Sequence, residues 1–342
     1  MTDDRPKDPR AGTLPRIAVL SLGGTIAMIP SADGGVAPAL SASDLVAAVP
    51  GLGAVAAVEA RSFRQLPGAH LTFDDLDQLA EAVEAAVAGG ADGVVVTQGT
   101  DTIEETAFVL DLLLGGDAPV VVTGAMRNPS LAGADGPANL LAAVRVAAAP
   151  AARRLGALVV LNDTIHAARF VHKAHSSRPD AFSSAPAGPL GALAEDRVAI
   201  LARLDRHPPL PPAPPVAAPE QPRVGLVRLG IDDDGRLVDA AVAAGFAGLV
   251  VEGLGGGHAS PLAAAAMERA AATLPVVLAT RTGRGGTLRN TYGFVGGEID
   301  LARRGVLPAG RLDGVKARVL LTLLLRRGAG REVIRSWFDS FA

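Results

Sequence analysis

The chain has 342 residues, enough for two domains of ordinary size, and its formal net charge is -3. With 49% hydrophobic and 20% charged residues, it fits neither a disordered tail protein nor a basic nucleic-acid-binding protein. It contains no cysteine, which excludes disulfides, thiolate metal sites and cysteine nucleophiles.

The first twelve residues, MTDDRPKDPRAG, are charged and lack the apolar centre of a secretory signal. No stretch of the sequence has the apolar length that a membrane span requires. We therefore expect a cytoplasmic protein that does not enter a membrane, with a frayed N-terminus.

Continuous apolar runs that end in small polar residues predict strands buried on both faces of a parallel sheet. In the first part of the chain these runs are 16–22, 93–98, 119–124 and 156–163. Segments with helical periodicity that end in Gly or Pro alternate with them, at 72–90, 102–116 and 138–150. This alternation predicts a doubly wound, mostly parallel α/β domain over residues 1–206.

A proline-rich stretch follows this domain. Residues 207–222 hold eight of the 25 prolines, so they can form neither the interior of a helix nor a central strand. We expect a stiff linker over residues 207–223. Beyond it, apolar runs again alternate with helical patterns, which predicts a second, smaller α/β domain over residues 224–342.

Polar side chains follow the predicted strands of the first domain. Ligands of open parallel sheets bind at the carboxyl ends of the strands, where loops lead into helices. Thr25 follows a glycine pair at the first strand end, and Thr100 and Asp101 follow the run 93–98. Lys173 lies beyond the run 156–163 and is one of only three lysines among 32 basic residues. A hydroxyl nucleophile needs a base, and a lysine steered by a carboxylate can supply one.

Each of these features also has a purely structural interpretation. The GGT turn is typical of a strand-to-loop connection or an anion-binding nest. Thr102 and Glu105 have capping-box spacing, so we expect Thr102 to cap the following helix and to leave Thr100 and Asp101 facing the cleft. Three histidines, His166, His172 and His175, suggest a metal site, but no repeated acidic pattern accompanies them.

The motifs together resemble those of the bacterial-type L-asparaginases, of the asparaginase/glutaminase family. The resemblance rests on GGTIA (23–27), TQGTDTIEETA (97–107), TGAMR (123–127) with ADGPANL (134–140), and HAARFVHKAHSSRPDAF (166–182). These motifs occur in the family's order and span most of the chain. Members of this family release ammonia from the side chain of L-asparagine and, in some cases, of L-glutamine.

The resemblance implies a role for each matching residue. Thr25 would attack the side-chain amide and form an acyl-enzyme that water then hydrolyses. Thr100, Asp101 and Lys173 would form a second triad in which Lys173 accepts a proton through Thr100, while Asp101 also holds the α-ammonium group of the substrate. Backbone N–H groups near Thr100 and Ala125 would stabilise the oxyanion. No metal or organic cofactor is implied, and a homodimer or homotetramer is expected by analogy.

The implied substrate-binding positions are Gly68, Ala69, His70, Gly99, Asp101 and Ala125. Here the chain departs from the family pattern, which commonly has a serine that binds the α-carboxylate in the segment now occupied by Gly68, Ala69 and His70. Backbone N–H groups or His70 would have to bind that anion instead.

Other departures concern the lid and the second domain. The segment after GGTIA includes Gly34 and Gly35 but lacks the usual lid tyrosine, since the only tyrosine is Tyr292. His258 stands where an asparagine is common. Arg281 or Arg284 could bind a carboxylate, or either could have a structural role at the surface.

These departures leave several functions open. The expected function is hydrolysis of L-asparagine, with weaker or no action on L-glutamine. The alternative within the enzyme class is a different amide, such as L-glutamine, D-asparagine or a peptidyl or tRNA-linked amide, although the net charge argues against tRNA. The chain could instead bind amino acids without turnover, although binding alone needs no lysine proton acceptor. A dinucleotide site is disfavoured because no G-x-G-x-x-G follows the first strand.

Overall fold

The structure, a computed structural model, describes residues 13–24, 26, 28–30, 36–38, 40–214 and 221–342. The chain divides into two compact units. The first comprises Met1–Ser184 and Gly188–His207, and the second comprises Ala185–Ala187 and Pro208–Ala342. The domain limits expected from the sequence remain predictions, and the expected fraying of residues 1–12 lies outside the described residues.

Twelve strands belong to the described part of the first unit. They are β1 (Arg16–Ser21), β2 (Met28–Pro30), β3 (Val36–Pro38), β4 (Ala57–Ser62), β5 (Gly93–Thr97), β6 (Val120–Thr123), β7 (Ala157–Leu161), β8 (Thr164–Ala167), β9 (His172–Lys173), β10 (Phe182–Ser183), β11 (Gly191–Ala194) and β12 (Arg197–Ile200). Its α-helices are α1 (Ala42–Ala47), α2 (Leu52–Val55), α3 (Phe73–Ala88), α4 (Ile103–Leu113) and α5 (Gly136–Ala148).

Eight of these strands form one sheet in the order β12-β11-β8-β7-β6-β5-β1-β4. Five neighbouring strands of this sheet, β7, β6, β5, β1 and β4, run parallel. The remaining strands, β8, β11 and β12, pair in antiparallel fashion. β5, β6 and β7 are buried along their whole length, as their unbroken apolar runs predict. Two further pairs, β2 with β3 and β9 with β10, lie outside this sheet.

Helices cover both faces of the large sheet. Side chains of α5 share a core with Val95 of β5 and Val121 of β6, while α3 and α4 pack against each other and against strands of the same sheet. The predicted doubly wound, mostly parallel α/β fold is confirmed. The helix predicted at 138–150 begins two residues earlier, because Pro137 occupies the first turn, where its fixed φ favours a helix and its missing N–H costs nothing.

The second unit contains a four-stranded parallel sheet and five helices within its described residues. Its strands are β13 (Val224–Arg228), β14 (Gly248–Gly253), β15 (Val276–Thr280) and β16 (Leu307–Pro308). Its helices are α6 (Arg236–Ala243), α7 (Pro261–Ala271), α8 (Glu298–Arg303), α9 (Gly314–Arg326) and α10 (Arg331–Asp339). Residues of α6 and α7 share one apolar core with β14 and β15, which confirms a smaller α/β unit.

The proline-rich stretch has no regular secondary structure where it is described. Residues 207–214 form neither helix nor strand, and residues 215–220 lie outside the described part. No described helix is both long and apolar enough to cross a bilayer.

Candidate active site

The carboxyl end of β5 leads into a single turn of 3₁₀ helix, Thr100–Thr102, immediately before α4. Thr100 is buried, with 6% of its surface exposed, whereas 69% of the Asp101 side chain is exposed. A buried hydroxyl and a solvated carboxylate are therefore adjacent at the sheet edge where ligands of this fold class bind.

Lys173 reaches this turn from β9, more than seventy residues along the chain. Its Nζ donates hydrogen bonds to Thr100 Oγ1 at 2.9 Å and to Asp101 Oδ1 at 2.7 Å. Only 15% of its side chain is exposed, so the ammonium group is largely removed from water and held by protein oxygens. The structure thus brings together three of the four residues predicted to be catalytic.

Three glycines bring the backbones of different loops together beside this turn. A Cβ added to Gly24 would lie 2.0 Å from the backbone nitrogen of Gly99, and one added to Gly68 would lie 3.1 Å from the Gly99 carbonyl oxygen. Gly24 also has a φ of +87°, a conformation that other residues rarely adopt. Glycine is thus required for the loop after β1 to approach the end of β5.

Thr25 lies outside the described residues, but its neighbours are described on both sides. Gly24 packs on Gly99, and Ile26 is buried in the same apolar core as Ala125. Both flanks of Thr25 therefore lie at the carboxyl edge of the sheet. The predicted lid glycines, Gly34 and Gly35, also lie outside the described residues.

Thr102 occupies the N-cap position of α4, as predicted, but the expected capping-box hydrogen bond of its side chain is absent. The Thr102 hydroxyl instead donates to the carbonyl oxygen of Gly68 at 3.0 Å. The same hydroxyl accepts from Gln98 Nε2 at 3.3 Å. The capping-box spacing is misleading here because a long-range partner competes for the hydroxyl.

The predicted substrate-binding positions have different exposures. Gly68 is buried, while Ala69 and His70, which complete the same 3₁₀ turn, are exposed. Ala125, one residue beyond Gly124 at the end of β6, is fully buried, so its backbone is what it can offer a ligand. A Cβ added to Gly124 would lie 3.3 Å from the Thr100 side chain, which puts this loop beside the triad.

Two structurally important residues of this edge received no role in the sequence analysis. Asn139, 3% exposed, donates to the carbonyl oxygen of Gly124 at 3.0 Å and accepts from the backbone N–H of Asn162 at 3.0 Å. Asp135 accepts from the N–H groups of Met126 and Arg127 at 3.0 and 2.8 Å. The ADGPANL motif contained both residues, but their partners are set by the tertiary fold.

Two of the three histidines, His166 and His175, have local hydrogen-bond partners. His166 is 4% exposed and shares a hydrogen bond with Ser184 Oγ through its Nδ1, at 2.8 Å. His175 Nδ1 accepts from the backbone N–H groups of Ser177 and Arg178. Among the described residues, no cluster of three or more His, Asp or Glu could hold a metal ion.

In the second unit, His258 and Arg281 have local partners. His258 Nε2 lies 3.4 Å from Glu298 Oε2, and the imidazole packs edge-on against the ring of Tyr292. The Arg281 guanidinium donates to the carbonyl oxygen of Leu229 at 3.1 Å, which favours the structural interpretation of this arginine. Arg284 is exposed.

Comparison with known proteins gives a consistent result for both units. Residues 16–206 match the family model described as "Asparaginase, N-terminal", and residues 223–338 match the model "Glutaminase/Asparaginase C-terminal domain". The chain belongs to the asparaginase family. Together the two models span nearly all of the described chain, so membership of this family does not depend on a single motif.

Relatives and solved structures agree with this family. A probable L-asparaginase of Deinococcus radiodurans is 42% identical over 330 residues, covering 95% of this chain and 98% of the relative. The structure of a probable cytoplasmic L-asparaginase of Campylobacter jejuni superposes with a TM-score of 0.85 at 32% identity, covering 95% and 99% of the two chains. A glutamyl-tRNA(Gln) amidotransferase chain of Methanosarcina acetivorans is 31% identical, covering 88% of this chain and 70% of the relative.

Proposed function

We propose that this asparaginase-family protein hydrolyses the side-chain amide of L-asparagine to L-aspartate and ammonia, with Thr25 as the nucleophile. One observation carries the proposal furthest: Lys173 Nζ bonds to both Thr100 Oγ1 and Asp101 Oδ1 at the sheet edge. A binding protein has no need of a lysine hydrogen-bonded to a buried threonine hydroxyl, whereas amide hydrolysis needs a proton acceptor.

Amide hydrolysis then proceeds in two stages. Thr25 Oγ attacks the amide carbonyl carbon, its proton is transferred, and the tetrahedral intermediate expels the amide nitrogen, protonated, as ammonia. This leaves an aspartyl ester on Thr25. Water attacks the ester carbonyl, gives up a proton, and releases L-aspartate with the threonine hydroxyl restored. An ester intermediate divides one difficult hydrolysis into two easier steps.

Lys173 and Thr100 handle the proton in this proposal. The 2.9 Å hydrogen bond joins Thr100 Oγ1 to Lys173 Nζ, so the proton that Thr100 takes from the attacking group has Lys173 as its acceptor. Lys173 returns the proton to the leaving group. The water of the second stage is activated through the same pair, since the ester occupies the same position as the amide.

Asp101 and the backbone loops bind the substrate. The Asp101 carboxylate is mostly exposed and bonds to Lys173 through Oδ1, so Oδ2 is suited to an α-ammonium group. The turn Gly68–His70 offers backbone N–H groups or the His70 ring for the α-carboxylate of the substrate. The backbone of Gly99 lies against Gly68 of this turn. Backbone N–H groups near Thr100 and Ala125 stabilise the oxyanion.

We also propose a cytoplasmic homo-oligomer, a dimer or tetramer. Support for the location comes from the Campylobacter neighbour, which is described as cytoplasmic. Support for self-association comes from apolar side chains exposed in the second unit, among them Phe294 at 51% and Val295 at 53%. Light scattering coupled to gel filtration measures the oligomeric state.

The test is ammonia release from four substrates: L-asparagine, L-glutamine, D-asparagine and a peptidyl asparagine. We expect turnover of L-asparagine by the wild type and none by Thr25→Ala, with L-aspartate still binding to Thr25→Ala in calorimetry. Near-wild-type activity of Thr25→Ala would overturn the nucleophile assignment. Turnover of the peptidyl amide alone would assign the chain to a different substrate.

A further inference from the structure

A buried histidine–serine pair lies next to the segment that carries Lys173. His166 in β8 is 4% exposed and Ser184, directly after β10, is 3% exposed. Their side chains share a 2.8 Å hydrogen bond between Nδ1 and Oγ. β8 belongs to the eight-stranded sheet, whereas β10 pairs with β9 in a separate two-stranded sheet. The pair therefore links the two sheets through side chains.

The register of the small sheet connects this link to Lys173. In the β9–β10 pair, Phe182 lies opposite Lys173 and Ser183 lies opposite His172. Ser184 directly follows Ser183, so it is two residues beyond the partner of Lys173. On the other side, the N–H groups of Phe170 and Val171 donate to the carbonyl oxygen of Ala167, the last residue of β8. β9 is thus fastened to β8 both through the chain and through the His166–Ser184 bond.

The chemistry of the pair suits a fixed link. Burial, and secondarily the charge of nearby His172, lowers the pKa of His166 to about 4, so the ring is neutral at neutral pH. A neutral imidazole carries one donor and one acceptor nitrogen and can share a hydrogen bond with a hydroxyl without burying a charge. Because the His166 ring is neutral near pH 7, protonation of the ring does not alter the His166–Ser184 hydrogen bond there.

We propose that His166 and Ser184 are positioning residues for Lys173, holding the β9–β10 hairpin where Nζ meets Thr100 and Asp101. The inference rests on the proposed function, because it assigns the pair to the proton-transfer step rather than to substrate binding. A misplacement of about 1 Å at a reacting group can cost up to about 10²-fold in rate, so a link of this kind affects turnover directly.

The experiment compares Ser184→Ala and His166→Leu, which remove the hydrogen bond, with His166→Asn, whose amide can replace the Nδ1 group. We expect both removals to lower kcat on the order of tenfold and to leave KM within about twofold of wild type. We expect His166→Asn to recover most of the loss. Circular dichroism and thermal unfolding identify any variant that has lost its fold. If either Ser184→Ala or His166→Leu is unfolded, the kcat of the other one tests the inference.

A second readout separates positioning from general stabilisation. In a Lys173→Met background, we expect Ser184→Ala to change the residual turnover by less than about twofold, because the residue it positions is already gone. A folded Ser184→Ala with wild-type kcat, or a full tenfold loss on top of Lys173→Met, would overturn the inference and leave the proposed function intact. If the wild-type protein released no ammonia from L-asparagine, both the inference and the proposed function would be overturned.

Discussion

At the residue scale, Lys173 is distinguished by the two oxygens it contacts rather than by its charge. A cation alone would neutralise Asp101, and an arginine could do that as well as a lysine. A proton acceptor must also lose its own proton, which a lysine can do and an arginine cannot within a protein. The 2.9 Å bond from Nζ to Thr100 Oγ1 is the path along which that proton would move.

Substitution of Lys173 tests this difference. We expect Lys173→Arg and Lys173→Met to lower kcat for L-asparagine by similar factors, on the order of 10²- to 10⁴-fold, since both remove the proton acceptor. Steady-state ammonia release at saturating substrate measures the effect. If Lys173→Arg kept wild-type kcat, the side chain would act through its charge alone.

Sequence reasoning found some of these residues and missed others for identifiable reasons. The scarcity of lysine singled out Lys173, but it applies equally to Lys316, which is 1% exposed and donates to Asp313 at 3.2 Å beside the start of α9. A residue count cannot tell a site lysine from a buried structural one. The N-cap position of Thr102 was predicted correctly, but the partner of its hydroxyl was not, because that partner, Gly68, is 34 residues away.

At the element scale, the site depends on loops that approach closely. The Gly24 and Gly99 backbones are too close for any side chain at position 24. Gly51 provides a matched control, because it has a similar φ of +77° but no atom within 4 Å of an added Cβ.

We expect Gly24→Ala and Gly51→Ala to differ sharply. Both substitutions place a Cβ on a residue with positive φ, which costs roughly 1–2 kcal/mol of stability. Only Gly24→Ala also forces the loop before Thr25 away from Gly99. Turnover should fall more than about tenfold in Gly24→Ala and stay within about twofold of wild type in Gly51→Ala. Measurements of kcat and of the unfolding midpoint check this, and equal activities would show that the close approach is dispensable.

The predictability of the elements follows their burial. β5, β6 and β7 were found because both faces are buried, which leaves an unbroken apolar run in the sequence. β4 was missed because it is an edge strand, AVEARS, with no fully buried residue. β9 and β10 have two residues each, too few for a periodic signal, although β9 carries Lys173.

At the scale of the whole molecule, the alternation of strands and helices was enough to predict two α/β units. The antiparallel strands that extend the large sheet, β8, β11 and β12, could not be predicted in the same way. Each has only four residues, and their order depends on pairings between distant segments. The limits of the domains and of the linker remain predictions.

Global stability should depend on pH through His166. Its pKa is lowered from 6.5 to about 4, mainly by burial, so between these values the unfolded chain binds a proton that the folded chain does not. Stability from this group is therefore fully present above pH 6.5 and is lost as the pH falls toward about 4, by roughly 3 kcal/mol in total. Below about pH 4 this group adds no further change.

Chemical denaturation between pH 4 and 7 measures this dependence. We expect the wild type to lose stability more steeply than His166→Asn as the pH falls, since the variant lacks the titrating group. Parallel pH dependences for the two proteins would show that His166 titrates normally in the folded state.

The most direct measurement is to locate the covalent intermediate by rapid acid quench and peptide mapping after mixing with L-asparagine. We expect an aspartyl ester on the peptide that contains Thr25, absent from Thr25→Ala. An ester on Thr100, or turnover by Thr25→Ala with the same burst of ammonia, would contradict the assignment of Thr25 as nucleophile and of Thr100 and Lys173 as its proton relay.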